Sequence, residues 1–186
     1  PAPPADGKPA RLRRRPRRRL AMWVAALGIA ATLLLLGYGL FVEPRQLVAR
    51  DHALTLRHWP QTCDGFRIDA VSDIHTGSFG NGLDNLDRVV DRLLASDADI
   101  VVLAGDYVIL MVPLGRYVPG QAIAARLARL TAKKPVYAVL GNHDWWKDGP
   151  GIARALADAG IHMIDNRAVE VAGGGGGDEF NGEPLQ

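Results

Sequence analysis

The chain has 186 residues and a single cysteine, Cys63. With no second thiol, an internal disulfide is excluded, and Cys63 reads as a small half-buried residue. Charge is missing from one long stretch: Leu20 to Val42 holds no Asp, Glu, Lys or Arg. Acid is nearly missing ahead of it, where Lys8, Arg11, Arg13, Arg14, Arg15, Arg17, Arg18 and Arg19 face only Asp6. From Leu20 onward the balance reverses to 14 basic against 19 acidic residues, or −5. The basic pI of about 9.0 therefore belongs to the first segment and not to the folded part. No internal repeat is evident.

As a helix the charge-free stretch is roughly 34 Å long at about 1.5 Å per residue, enough for a hydrocarbon core of roughly 30 Å. Trp23, Tyr38 and Phe41 lie towards its ends, where aromatic rings favour the interface, and Glu43-Pro44 stops it. A cleaved signal peptide would have a shorter apolar region ending in small residues, and no A-x-A site is clear here. A twin-arginine signal around Arg18-Arg19 would have a shorter, less apolar run. The arginines thus read as a topology signal and as attraction to anionic lipid, not as a nucleic-acid surface; no nucleic-acid partner is expected. The expected organisation is a basic cytoplasmic tail over 1–19 (with 1–10 disordered), a transmembrane helix over 20–42, a linker over 43–52, a folded domain over 53–172 and a flexible glycine-rich end over 173–186.

The folded part alternates short apolar runs with amphipathic stretches. Ala53 to Arg57 alternates and suits a half-buried strand. Phe66 to Val71, Ile100 to Ala104, Val136 to Leu140 and Ile161 to Ile164 read as strands, with Ala168 to Val171 as a further one. Leu83, Leu86, Val90, Leu93 and Leu94 recur at helical spacing. Gln121 to Leu130 reads as a second helix and Pro150 to Ala159 as a third, with Pro150 suited to a first turn and Gly160 to a C-terminal cap. Tyr107 to Gly120 reads as a loop over the site or facing the membrane, with Val108, Ile109, Leu110 and Met111 exposed. Strands alternating with helices imply parallel pairing and an α/β layered fold.

Three of these strands stop at residues of one chemical kind. The first ends in Asp73-Ile-His75, the second in Gly105-Asp106, the third in Gly141-Asn-His-Asp144. Parallel neighbours bring their C-terminal ends together, where α/β folds keep their ligands. Oxygen and nitrogen donors presented together suit a divalent transition metal. Glycine before Asp106 and before Asn142 permits a sharp turn and close backbone approach.

These blocks, with Leu103-Ala-Gly-Asp-Tyr107 and Val139-Leu-Gly-Asn-His-Asp-Trp-Trp146, resemble the calcineurin-like metallophosphoesterases, in particular their bacterial membrane-associated branch. The resemblance covers about Phe66 to Val171. It implies an α/β layered metallophosphoesterase-type sandwich, of which this chain supplies the N-terminal half, preceded by one transmembrane helix. It assigns Asp73 and His75 to one metal, Asp106 to a bridge between two, and Asn142 to the second. His143 would act on the phosphate or the leaving oxygen, and Asp144 would orient His143. The implied cofactors are two divalent ions (Mn, Fe or Zn). The implied reaction is hydrolysis of a phosphate mono- or diester or a pyrophosphate bond by metal-activated hydroxide. Together with the anchor, the resemblance places the catalytic domain on the periplasmic face of a bacterial inner membrane, acting on a phosphorylated, lipid-linked substrate.

The family pattern also has a further histidine and a Gly-His-x-His block. After His143 this sequence holds only His162, in a strand-like context that reads as structural. Truncation of a longer protein is therefore expected. The alternative reading is a non-catalytic remnant, or a tethered interaction module using Tyr107 to Val118.

Overall fold

The computed structural model describes residues 15–171, the side chains from residue 17 onward. The tip expected to be disordered over 1–10 and the end expected to be flexible over 173–186 lie outside the described residues. The chain divides into two compact units, Pro1–Glu43 and Pro44–Gln186.

The first unit contains α1, Arg15–Phe41, a helix of 27 residues. It starts within the arginine cluster, earlier than the expected Leu20, because arginine is itself a good helix former. Residues 17–45 contain the one described helix that is long and apolar enough to cross a membrane, and that window buries none of its apolar surface.

The second unit is built on four parallel strands: β1 (Ile68–Val71), β2 (Ile100–Leu103), β3 (Val136–Ala138) and β4 (His162–Met163). They lie in sequence order, with Val71 beside Leu103, Leu103 beside Ala138 and Ala138 beside Met163. Helices α2 (Leu83–Leu94), α3 (Gly120–Thr131) and α4 (Asn142–Asp158) make the crossovers. Neighbouring helices pack against one another, so they form one layer on the sheet. Leu86, Val90 and Leu93 of α2 recur at helical spacing and meet Ile123, Leu127 and Leu130 of α3 in the core. Ile152 and Leu156 of α4 close that core over Val101, Leu103, Val136 and Ala138.

The two outermost expected strands do not form. Ala53 to Arg57 has no regular structure, and its Leu54 and Leu56 are exposed, since no strand lies beside it to complete a ladder. Ala168 to Val171 is likewise irregular. The third helix begins eight residues before Pro150, at Asn142, within the ligand block itself. Pro150 cannot donate to a carbonyl one turn earlier, and the helix breaks at Asp148, whose φ and ψ are −167° and 68°. The stretch after β2 is buried at first: Tyr107, Val108 and Ile109 are core residues, and Val108 pairs with Thr76 as a one-residue extension of the sheet. Only from Met111 does it turn outward.

Candidate metal centre

β1, β2 and β3 end in register, and the chain leaving each one bends sharply at the same edge. Asp73, His75 and Asp106 have positive φ values of 53°, 43° and 57°. This left-handed region is uncommon for residues with a side chain, although Asp and His visit it more readily than most. Backbone bonds hold the bends together. The Asp73 N–H donates to the Gly105 carbonyl at 3.1 Å and the His75 N–H to the Asp106 carbonyl at 2.8 Å.

Two glycines allow this crowding. A Cβ on Gly141 would lie 2.0 Å from Asp106 Oδ1, and one on Gly105 would lie 2.4 Å from the Gly141 nitrogen. The turns after β2 and β3 therefore lie against each other, which seats the Asp106 carboxylate beside the first turn of α4. There its Oδ1 accepts the His143 backbone N–H at 2.9 Å.

The side chains converge as the strand ends imply. His75 Nε2 lies 3.6 Å from Asp73 Oδ1 and 3.8 Å from Asp106 Oδ2. Donor atoms of His75, Asp106 and His143 all lie within 4.8 Å of one another. The His75 and His143 rings meet edge to face, with centroids 4.6 Å apart. Asn142 is the exposed first residue of α4, next to His143. His162 is not at this edge; it lies within the sheet, in register with Tyr137, and its ring is 5.3 Å from the Tyr137 ring.

This donor set fits a divalent cation. His75 Nδ1 is 3.3 Å from the Val108 carbonyl. A proton shared there leaves the Nε2 lone pair facing two carboxylates, across gaps too wide for good hydrogen bonds. Facing lone pairs at such spacing are what a shared cation would draw together, and the carbonyl behind the ring is the usual outer partner of a metal-binding histidine. His143 Nδ1 is buried with no hydrogen-bond partner.

The sequence reading put Asp144 behind His143 as its orienting carboxylate. The structure gives it another task. Asp144 is fully buried and accepts four backbone N–H groups: Gly141 at 2.9 Å, Asp106 at 2.8 Å, Tyr107 at 2.9 Å and Val108 at 3.2 Å. At the third position of α4 it accepts the amide of the residue that caps the helix, and a carboxylate there also suits the helix dipole. Burial pushes its carboxyl above the ordinary value, while the four amides pull it back. Asp144 thus ties the turn after β2 to the turn after β3, and positions Asp106 through its backbone, while the Asp106 carboxylate in turn holds the His143 N–H.

Two neighbours escaped the sequence reading. The Tyr107 hydroxyl shares its one proton between the Leu103 carbonyl at 3.1 Å and the Val139 carbonyl at 3.0 Å, joining the end of β2 to the residue after β3. Burial and the Asp144 charge push that phenol far above its ordinary value. Trp146 places its ring 5.7 Å from that of His143. Tyr107 directly follows Asp106 and Trp146 stands two residues after Asp144, which was the available signal.

Comparison with known proteins gives the family. A family model described as calcineurin-like phosphoesterase matches residues 66–183. The chain is 30% identical over 147 residues to the uncharacterized metallophosphoesterase YkuE of Bacillus subtilis (strain 168), covering 73% of this chain and 50% of that protein. It is 29% identical over 149 residues to a transmembrane protein with metallophosphoesterase domain from Danio rerio, covering 80% of this chain and 32% of that one. The chain therefore spans half the length, or less, of these curated relatives. Among solved structures it is similar to the Pseudomonas putida nuclease MPE, at 24% identity over 55% of this chain and 48% of that one, with a TM-score of 0.38.

Proposed function

Because the chain belongs to the calcineurin-like phosphoesterase family, we propose that it is a membrane-anchored, metal-dependent phosphoesterase that hydrolyses a phosphate mono- or diester or a pyrophosphate bond. The observation that carries this reading is the meeting of His75, Asp106 and His143 donors at the shared end of three parallel strands. In the proposed assignment Asp73 and His75 would hold one divalent ion, Asn142 would hold a second, and Asp106 would serve both. Such ions supply Lewis acidity towards the phosphoryl oxygens and activate the attacking water at neutral pH.

The chain's own groups complete the site. The negative charge of Asp106 offsets repulsion between neighbouring cations, and a neutral amide at Asn142 donates an oxygen without cancelling charge. His143 is held by its backbone bond to Asp106 and by ring contacts with His75 and Trp146, so its imidazole has a fixed orientation. From there it donates a hydrogen bond to a phosphoryl oxygen or a proton to the leaving oxygen. Asp144 keeps this arrangement in place without touching substrate.

In the same reading α1 is a single-pass anchor in a bacterial inner membrane with the catalytic unit on the periplasmic face, as the preceding arginines favour. A phosphorylated, lipid-linked substrate follows from that placement.

The test is Mn²⁺-dependent hydrolysis of bis(p-nitrophenyl) phosphate by the full chain. Asp106→Ala should abolish turnover, and unchanged turnover would remove the reading. Cys63, the single thiol, tests the topology: a membrane-impermeant maleimide should label it in intact spheroplasts. Labelling only after lysis would reverse the orientation.

A further inference from the structure

Large apolar side chains are exposed across the second unit, Leu54 and Ile68 among them, and a group of them lies beside the metal centre. Met111 is fully exposed, Leu114 nearly as open, and Trp145 and Trp146 are 56% and 67% exposed. They are not scattered. The loop carrying Met111 and Leu114 leaves the sheet at Val108, which pairs with Thr76, and returns where the Arg116 N–H donates to the Gly77 carbonyl at 2.7 Å. Both feet of the loop thus rest on Thr76 and Gly77, the two residues that follow His75. Beyond it, Lys147 of α4 lies 4.3 Å over the Tyr117 ring. Trp145 and Trp146 share that turn of α4, and Trp146 in turn neighbours His143. Loop and helix start therefore form one apolar and aromatic rim at the mouth of the site.

Its composition is that of a membrane interface. Two tryptophans and a tyrosine, amphipathic rings suited to the headgroup level, are joined by Arg116 and Lys147. Asp148 is the one acid among them, and its carboxylate accepts the Gly151 N–H. Ordinary soluble surfaces seldom gather open Trp, Met and Leu in one place.

We infer that this rim docks on the lipid bilayer, with Trp145, Trp146, Met111 and Leu114 seated at headgroup level and the metal centre opening onto the membrane surface. Docking stands on the rim itself. What it says about substrate, a phosphate ester presented at the bilayer surface, rests on the phosphoesterase reading above.

Tryptophan quenching tests the docking without any need for turnover. The full chain carrying Trp23→Phe and Trp59→Phe keeps only Trp145 and Trp146 as emitters. It is reconstituted into phosphatidylcholine and phosphatidylglycerol vesicles whose acyl chains are brominated near the glycerol. Loss of most of the emission is expected, and Met111→Glu with Leu114→Glu should restore much of it. Emission unaffected by bromine in chain that sediments with the vesicles would overturn the inference while leaving the anchor intact. A concentration-dependent blue shift without quenching would also overturn it and give the rim to a second copy. Absence of turnover on the soluble diester, with quenching present, would sink the phosphoesterase reading and not the docking.

Discussion

Asp73 and Asp106 are the same residue type, both left-handed in backbone and both facing His75, yet they sit in opposite surroundings. The Asp73 side chain is 65% exposed, and beyond facing His75 it accepts the Ser72 hydroxyl of its own turn. The Asp106 side chain is 12% exposed; its carboxylate is bonded to α4, and its backbone is bonded to Asp144 and to His75. One side of the centre is open and lightly held. The other is built into the junction of two turns, a carboxylate and a helix start. The difference implies that the built side carries fold stability and position, whereas the open side carries affinity for what enters.

The sharpest way to break that contrast is to remove the carboxylate at the junction. Asp144→Ala leaves four amides without their acceptor and should cost on the order of 4 kcal/mol in urea unfolding. A loss below about 1 kcal/mol would mean that water or a local shift replaces it. Gly141→Ala is the next test. Its Cβ must displace Asp106 Oδ1 or the helix start, so a loss of about 1–3 kcal/mol is expected together with weaker Mn²⁺ uptake. Unchanged uptake by calorimetric titration would show that the site tolerates movement of Asp106. Tyr107→Phe takes the donor from two strand-end carbonyls and should cost about 1 kcal/mol. Asp73→Asn should leave stability within about 0.5 kcal/mol of the parent while lowering Mn²⁺ affinity; a stability loss as large as that of Gly141→Ala would erase the contrast.

The smallest effect is one of pH. Because burial holds the Asp144 carboxyl above its ordinary value, the folded chain binds that proton more tightly than the unfolded chain does. Its contribution to stability is therefore greatest below the ordinary carboxyl range, falls as pH rises through the raised pKa, and levels off above it. Subtracting the metal-free stability profile of Asp144→Asn from that of the parent should reveal this downward slope, and a rising difference would reverse the sign.

Much of this was legible in the sequence because local pattern and tertiary role agree. Leu83 to Leu94 shows its buried face by spacing alone, and Ile100 to Leu103 reads as a covered strand because α/β strands with helices above them need no polar alternation. The strand-end blocks were legible because parallel order makes sequence-distant ends neighbours. Ala53 to Arg57 misled, since alternation describes a strand only where a partner exists to bond it. Asp144 misled in a different way. A carboxylate beside a histidine in sequence suggests a pair, but in the first turn of α4 that side chain points back to the unbonded amides, and no periodicity records which amides lie there. The burial of Val108 and Ile109 was hidden for a similar reason: it depends on Thr76, far earlier in the chain.

The three left-handed residues at the strand ends also bear on how the chain changes over generations. Glycine occupies that backbone region without penalty, whereas a residue with a Cβ gives up roughly 1–2 kcal/mol there. Asp73, His75 and Asp106 are thus positions where a single codon change to glycine would relieve strain. A lineage with no use for the metal centre would gain that relief at Asp73, whereas at Asp106 the lost acceptor for the His143 N–H would offset it. Holding aspartate and histidine at these three turns therefore carries a standing conformational cost, which binding of a cation at their shared edge would offset.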